Sequence, residues 1–224
     1  MNDKVIVTID REFGSGGHEV ARRLAERLEV PFYDEEIIAM AAESTGYNKD
    51  YIRENDEKAP DYSFSTLFSG FDSFQTSPFA KVQEEEFNII REIASKGSCV
   101  IVGRAADYIL SEERHVSIFL FAPFEERVRR KLQIHNTMEP ENLFDLPTVE
   151  KQVRQIDKQR RRYYEFYTDN KWGGRDEYDL LINTSRAGVE GAVDIIEAYI
   201  KGGKDKDLMS DLEYLDPDTN VREL

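Results

Sequence analysis

The chain has 224 residues, of which 40% are hydrophobic and 33% charged, a balance suited to one α/β domain with an insertion. Its net charge of −15 argues against a DNA- or RNA-coating role, because nonspecific nucleic-acid affinity comes from Lys and Arg neutralising phosphates. The one cysteine, Cys99, excludes a disulfide within this sequence, and no apolar run approaches the ~20 residues that span a bilayer. With no leader-like segment before the first strand, these features predict a cytoplasmic protein without nucleic-acid or membrane partners.

The first predicted strand leads into a glycine loop, which contains Gly14, Gly16 and Gly17, and then into a helix. Val5 to Ile9 is an apolar run typical of a buried strand, and helix-period apolar residues begin at Val20. Small residues in such a loop let backbone N–H groups converge on a phosphate, and the helix N-terminus adds partial positive charge. The alternative is a tight turn that only packs helix against strand. The strand–loop–helix context favours phosphate binding.

The loop departs from the standard motif G-x-x-x-x-G-K-[ST], in which lysine reaches the phosphates and a hydroxyl holds magnesium. With Gly16 set on the last glycine of the motif, Arg11 stands at the first glycine, Gly17 at the lysine and His18 at the hydroxyl residue. We therefore expect a phosphate cradle without its lysine, and Arg11 is the candidate to replace that charge. The expected cofactor-binding residues are Gly14, Ser15, Gly16, Gly17, His18 and Glu19.

The next stretch contains a second strand and an unusual aromatic segment. Residues 30–33 predict a short strand that ends at Asp34, followed by a helix over 35–44 and a polar stretch over 47–59. Residues 60–80 carry five phenylalanines, too many for a solvated linker, so we expect this segment to pack on something. A homodimer through residues 60–80 is one hypothesis, and a flap that orders with ligand is the other.

Strand-like and helix-like segments then alternate, which predicts a parallel sheet covered by helices. The expected helices are 81–96, 105–110, 124–135, 148–167 and 189–200, and the expected strands are 98–102, 116–121 and 178–182. Cys99 lies within a strand and is predicted to be a small core residue rather than a nucleophile. Residues 201–224 form a polar tail rich in acidic side chains.

Charged residues follow the predicted strands at the edge where ligands of open α/β sheets bind. Asp10 and Arg11 follow the first strand, Asp34 the second and Arg104 the third. Arg104 is the strongest arginine candidate for a ligand phosphate, and a structural salt bridge is its alternative. No histidine has metal-ligand spacing, so the metal ligands stay open.

Two basic helices joined by a loop predict a lid that closes over polyphosphate. Their basic residues are Arg127, Arg129, Arg130, Lys131, Arg154, Lys158, Arg160, Arg161 and Arg162. Helical spacing places Asp157 between Arg154 and Arg160 or Arg161, where it can hold a guanidinium. Phosphoryl transfer needs such cations, because its catalysis is mostly positioning and charge neutralisation. Solvated helix faces with i,i+4 pairs are the alternative. Trp172 is predicted to anchor a loop rather than stack on a base.

The order of these motifs resembles the nucleoside-monophosphate kinases, and most closely the cytidylate-kinase-like family. Residues 7–10 resemble its first strand, Gly103-Arg104 its Gly-Arg-Asp motif, Asp157-Lys-Gln-Arg160 its lid motif, and residues 179–185 its last strand. The segment Arg11-Glu-Phe-Gly-Ser-Gly-Gly17 resembles a divergent branch of that family. The resemblance covers about residues 4–200. It implies an α/β, three-layer P-loop NTPase fold with a five-stranded parallel sheet in order 2-3-1-4-5. Within a domain of residues 1–200, it implies an acceptor-binding insertion over about 35–96 and a lid over about 124–167.

The resemblance also implies an activity. The chain would transfer the γ-phosphate of ATP, with Mg²⁺, to a nucleoside monophosphate, most closely CMP. Arg11, Arg127, Arg130 and Arg160 would be catalytic, and Asp34, Arg104, Arg154, Asp157 and Arg160 would bind the acceptor. Three departures from the family pattern are Gly17 for lysine, Ala105 for aspartate and Val153 for the first lid arginine. A catalytically weak nucleotide sensor and a kinase for another small molecule are the alternatives.

Overall fold

The computed structural model of the chain describes residues 4–55 and 78–202. The strands are β1 (Ile6–Arg11), β2 (Phe32–Tyr33), β3 (Cys99–Val102), β4 (Val116–Phe121) and β5 (Leu180–Asn183). The helices are α1 (Gly17–Leu28), α2 (Glu35–Thr45), α3 (Lys49–Asn55), α4 (Pro78–Lys96), α5 (Ala106–Ile109), α6 (Phe124–Met138), α7 (Leu146–Thr168) and α8 (Thr184–Gly202). Residues 60–77 of the predicted segment 60–80 and residues 203–224 of the predicted tail 201–224 lie outside the described residues.

The five strands form one parallel sheet in the order β2-β3-β1-β4-β5, which confirms the predicted order. Strand β1 is central, and every one of its six residues is buried, because helices cover both faces of the sheet. In register, Ile9 lies opposite Val102 on one side and Ile118 on the other. The carboxyl ends of the three central strands therefore meet at one edge, where the glycine loop begins.

Helices α1 and α8 pack on one face of the sheet, against the side chains of Val7, Ile9 and Leu120. The opposite face has two parts. Around Ile6 and Ile101 it is covered by α2, α3, α4 and α5. Near β4, Phe119 packs instead with an aromatic group made of Tyr163, Tyr164, Trp172 and Tyr178. These layers give the predicted three-layer α/β architecture, and Cys99 is buried in the second face, where burial raises the pKa of its thiol to about 11.

Helices α6 and α7 form an antiparallel pair whose shared core is Val128, Val149 and Val153. Helix α7 begins at Leu146, two residues before the predicted start, because the Asp145 carboxylate accepts the backbone N–H of Thr148 at 2.9 Å and caps it. This pair corresponds to the segment predicted as a lid.

The last helix also begins earlier than predicted, at Thr184 rather than 189. Gly188, with φ of 70° and ψ of 177°, divides it into two helical pieces, and the apolar period of the second piece is the one visible in the sequence. No helix within residues 4–55 and 78–202 is long and apolar enough to cross a membrane.

Candidate functional site

The glycine loop turns tightly between β1 and α1. Gly14 and Gly16 have φ of 83° and 87°, in the left-handed region that favours glycine. A Cβ on Gly14 would also lie 2.8 Å from the carbonyl oxygen of Arg127. Gly16 is the N-cap of α1 and, because it has no side chain, makes no capping hydrogen bond to the first turn. The loop thus presents a helix N-terminus at the ligand edge of the sheet, as an anion site requires.

Ser15 lies inside this loop and is fully buried. Its carbonyl oxygen accepts a 2.6 Å hydrogen bond from the Thr184 hydroxyl, which fixes the backbone from β5's side. Its own hydroxyl, however, has no hydrogen-bond partner among the described residues. An enclosed hydroxyl without a partner costs about 1–3 kcal/mol. The loop therefore holds a buried hydroxyl whose hydrogen-bonding capacity the described residues leave unused.

Four charged or titratable side chains converge next to the loop, three from the ends of β1, β2 and β3 and one, His18, from the first turn of α1. Asp34 is their centre: its Oδ2 lies 2.7 Å from His18 Nδ1, and its Oδ1 lies 3.7 Å from Arg11 Nη2 and 3.6 Å from Arg104 Nη1. The hydrogen bond that His18 donates to the Asp34 carboxylate raises the pKa of His18, although burial opposes the charged imidazole. Arg11, Asp34 and Arg104 are buried, whereas the His18 side chain is 61% exposed. The structure therefore brings together the residues predicted from three separate strand ends.

Arg104 reaches this cluster from a strained backbone. Arg104 and the following Ala105 have φ of 58° and 51°, and left-handed conformations of non-glycine residues cost of order 1 kcal/mol or more each. The guanidinium of Arg104 also donates to the Val102 carbonyl at 3.2 Å. Such strain is concentrated at ligand sites, where it fixes a side chain that an ordinary turn would direct elsewhere.

The helix pair α6–α7 covers the loop with arginines. Arg130 Nη1 donates to the Gly14 carbonyl at 3.0 Å and would lie 2.8 Å from a Cβ on Gly16. Arg160 Nη1 donates to the Arg11 carbonyl at 3.2 Å. The predicted catalytic arginines of the two basic helices thus contact the loop backbone directly.

Asp157 and Arg127 connect the helix pair to the loop. Asp157 accepts the backbone N–H of Phe13 at 2.7 Å and pairs with the guanidinium of Arg127. The sequence predicted that Asp157 holds a guanidinium of its own helix, whereas the guanidinium comes from α6. Arg127 also donates to the carbonyls of Phe13 and Ala122, each at 3.0 Å. Its Nε lies 3.1 Å from the Glu12 carboxylate, so the predicted catalytic Arg127 has extensive structural contacts.

Two predicted site residues lie away from this cluster. Arg154 is exposed and stacks over the Phe124 ring, with its guanidinium carbon 4.0 Å from the ring centre. Glu19 pairs with Arg22 and Arg23, and these hydrogen bonds lower the pKa of its carboxyl to about 2. Their predicted binding roles stay predictions, because nothing in the geometry directs either side chain to the loop.

Sequence reasoning missed three residues that shape the site. Glu12 and Phe13 lie within the loop itself, and their signal was only their position between Arg11 and the glycines. Thr184 follows the fifth strand, and no local pattern indicates that its hydroxyl binds the loop. Trp172 was predicted as an anchor, and its indole N–H indeed donates to the Asp10 carboxylate at 3.0 Å. Tyr178 donates to the same oxygen at 3.1 Å.

The described residues around the loop offer no preformed set of protein ligands for Mg²⁺, an ion that phosphoryl-transfer sites bind through one or two carboxylates together with substrate phosphates and water. Mg²⁺ prefers oxygen ligands in octahedral geometry, but the position that carries a hydroxyl in the standard loop is His18, whose Nδ1 is bonded to Asp34. Both oxygens of Asp34 face cationic or imidazole nitrogens. Within the described ranges, no group of three His, Cys, Asp or Glu side chains could hold a metal ion. Ser15 is the one loop hydroxyl, and we assign no step to a metal.

Comparison with known proteins agrees with this geometry. The model of the cytidylate kinase-like family matches residues 6–186. A cytidylate kinase of Methanococcus aeolicus is 32% identical over 133 residues, covering 54% of this chain and 70% of that protein. A cytidylate kinase of Pseudothermotoga lettingae is 28% identical over 153 residues, covering 58% of this chain and 68% of that protein.

Solved structures show the same fold. An uncharacterized protein from Eubacterium ventriosum has a TM-score of 0.66 and 29% identity, covering 88% of this chain and 99% of its own. The shikimate kinase from Acinetobacter baumannii, solved in complex with shikimate, has a TM-score of 0.51 and 19% identity, covering 91% and 97%. At that identity the likeness concerns the fold alone, and it confirms the predicted P-loop kinase fold.

Proposed function

The chain belongs to the cytidylate kinase-like family, and from this premise we propose that it transfers the γ-phosphate of ATP to a nucleoside monophosphate of the CMP type. The family and its curated cytidylate kinases support a nucleotide kinase in general. The choice of CMP is supported by the two cytidylate kinases, which are 32% and 28% identical to this chain over part of its length. ATP is proposed as the donor from the resemblance to the same family.

The buried Ser15 hydroxyl is the single observation that best supports phosphate binding at the loop. It lies next to the uncapped first turn of α1, and it has no hydrogen-bond partner among the described residues. A phosphate oxygen in the loop would accept from this hydroxyl and from the backbone N–H groups at once.

The arginines then have complementary tasks. Arg127, Arg130 and Arg160 come from the helix pair and would neutralise the charge that develops on the transferred group. Asp34 and Arg104 lie beyond the loop, at the ends of β2 and β3, and would hold the acceptor. The helix pair would act as the lid that excludes water.

The reaction needs little covalent assistance from the protein. An oxygen of the acceptor's phosphate attacks the γ-phosphorus, and the bond from that phosphorus to the bridging oxygen of ADP breaks. No proton has to move when the acceptor phosphate is a dianion. Positioning and charge neutralisation are therefore the main contributions required of the site.

A catalytically weak nucleotide-binding protein is the second candidate, favoured by the missing lysine at Gly17 and by the ion pairs of Arg11 with Asp10 and Asp34. A coupled assay with ATP and CMP, dCMP, UMP or AMP separates the two. Turnover of one of these acceptors supports the kinase. Binding of ADP without turnover of any acceptor supports the second candidate.

Ser15→Ala tests the phosphate site itself. Removal of the hydroxyl should weaken ADP binding by about 5–30-fold, whereas the stability of the ligand-free chain should stay equal or rise, since a buried unpaired group is lost. Ser185→Ala is the control, because that exposed hydroxyl bonds only to Asn183. Unchanged ADP affinity of Ser15→Ala would contradict phosphate binding at this loop.

A further inference from the structure

Two residues of the glycine loop are exchanged relative to the standard motif. The motif has glycine at its first position and lysine at its seventh. Here the first position is Arg11 and the seventh is Gly17. The loop keeps one cation and one small residue at these two positions, and only their order differs.

These two residues are in direct contact. A Cβ on Gly17 would lie 2.6 Å from Arg11 Cβ and 2.9 Å from Arg11 Cγ, distances that real Cβ atoms do not adopt. The backbone of Gly17 is that of the first helical turn and does not have a positive φ. Glycine is therefore required at position 17 by the space that the stem of Arg11 occupies, not by the conformation of the chain.

The stem of Arg11 passes the point from which a lysine side chain would begin. The buried Ser15 hydroxyl lies 3.5 Å from that same point. Beyond the stem, the guanidinium lies at the ends of β1 and β2. There Nη1 is 3.9 Å from Asp10 and Nη2 is 3.7 Å from Asp34. Two buried carboxylates thus keep the cation beside the loop.

We propose that Arg11 and Gly17 compensate for each other. The glycine leaves room for the Arg11 side chain, and Arg11 supplies the phosphate-binding charge of the missing lysine from the first position of the motif instead of the seventh. The stem of Arg11 takes the volume of the lysine side chain, and its guanidinium contacts the β- and γ-phosphates of the bound nucleotide. This assignment rests on the proposed function, because it names the group that binds the donor phosphates.

The pair makes a specific prediction about lysine. Gly17→Lys alone should not restore a standard loop, because its Cβ collides with Arg11, whereas Arg11→Gly with Gly17→Lys removes the collision and returns the charge. An arginine fork and a lysine ammonium bind phosphate with different geometry, so the double variant should recover much of the affinity rather than all of it.

The test uses the full chain and two measurements, the melting temperature without ligand and the affinity for ADP by calorimetry. Gly17→Ala and Gly17→Lys should each lower the melting temperature by about 3–10 °C through overpacking. Arg11→Gly by itself should cost stability, because Asp10 and Asp34 lose this cation, so the Gly17 variants are compared with it. In the Arg11→Gly background, Gly17→Ala should cost no further stability and leave the affinity low, whereas Gly17→Lys should regain affinity.

Arg11→Met separates charge from packing, because it keeps an aliphatic stem. It should weaken ADP binding by about 10–100-fold, the effect of one lost charge-assisted contact. Arg22→Met is the matched control, since Arg22 is an exposed arginine of α1 that pairs with Glu19 and Glu26.

Clear outcomes overturn the proposal. If Gly17→Ala melts at the same temperature as the wild type, the claim that the Arg11 stem excludes a side chain at position 17 is refuted. If the ADP affinity of Arg11→Met is within about 3-fold of the wild type, the claim that Arg11 supplies the phosphate-binding charge is refuted. If the wild-type chain binds no ADP, the proposed function fails and the charge assignment fails with it. The melting temperatures still test the contact between Arg11 and position 17 in that case, so the two failures are distinguishable.

Discussion

Asp157→Asn is the sharpest test of how the helix pair is attached to the glycine loop. The carboxylate joins three elements, because it accepts the N–H of Phe13 in the loop and pairs with Arg127 of α6 from its own position on α7. The Arg127 side chain is buried, with 8% exposure, and the Asp157 side chain is partly buried, with 14% exposure. The asparagine keeps the shape and one acceptor oxygen but removes the charge.

The expected cost follows from these contacts. Removal of one partner of a buried ion pair costs about 3–5 kcal/mol, and a hydrogen bond to a charged group contributes about 1.5–3 kcal/mol. Arg127 keeps the Glu12 carboxylate at 3.1 Å and two backbone carbonyls, and the asparagine oxygen still accepts from Phe13. We therefore expect a cost below the roughly 3–5 kcal/mol of a fully unpaired buried charge, about 2 kcal/mol in the free energy of unfolding.

Urea unfolding measures this loss. With a denaturant slope of about 2–3 kcal/mol per M, the midpoint should fall by about 0.7–1 M. Glu165→Gln is the control, because Glu165 is an exposed acidic residue of the same helix and should move the midpoint by less than about 0.2 M. Equal shifts in the two variants would refute the argument that Asp157 fastens the helix pair to the loop.

Three further predictions concern titration and the loop backbone. The Asp34 hydrogen bond raises the pKa of His18 above its usual 6.5, so the stability it adds is complete below about pH 6.5 and is lost as the pH rises through the raised pKa. The difference in melting temperature between the wild type and His18→Gln should therefore shrink from about pH 6 to about pH 8, and a constant difference would contradict the pair. Burial raises the pKa of Asp107 from 3.8 to about 6, so the folded state binds this proton more tightly and stability falls as the pH rises between those values. Asp107→Asn should remove that decline in a urea titration at each pH, and an unchanged slope would show that burial does not control the group. Thr184→Val leaves the Ser15 carbonyl without the Thr184 donor and should lower the free energy of unfolding, measured in urea, by about 1–2 kcal/mol. Thr184→Ser keeps the hydroxyl and should largely avoid this loss.

Much of the fold could be predicted because its signals are local in the sequence. A buried parallel strand is a continuous apolar run, and the runs at β1, β3 and β4 are unambiguous. Helix periodicity located the helices, but their ends depended on single residues. Asp145 starts α7 and Gly188 divides α8, and neither effect belongs to the apolar pattern.

Some site residues could be predicted and others could not, because only some of their contacts follow from patterns local in the sequence. Arg11, Asp34 and Arg104 could be grouped from the sequence, because parallel strands bring their carboxyl ends to one edge. The ion-pair partner of Asp157 could not be predicted, because helical spacing identifies neighbours on the same helix and Arg127 belongs to α6. Arg154 has suitable spacing, yet the packing of α6 against α7 places it over Phe124.

The sequence by itself determined that this chain has a strand, a glycine loop and a helix N-terminus, and that the usual lysine is absent. Those features depend on residues adjacent in the chain. Only the tertiary structure decided where the replacement charges lie. It placed the stem of Arg11 against Gly17, enclosed the Ser15 hydroxyl and brought Arg130 and Arg160 onto the loop. These contacts join residues as far as 149 positions apart, and they follow from side-chain volume and from the burial of charge, which no local pattern records.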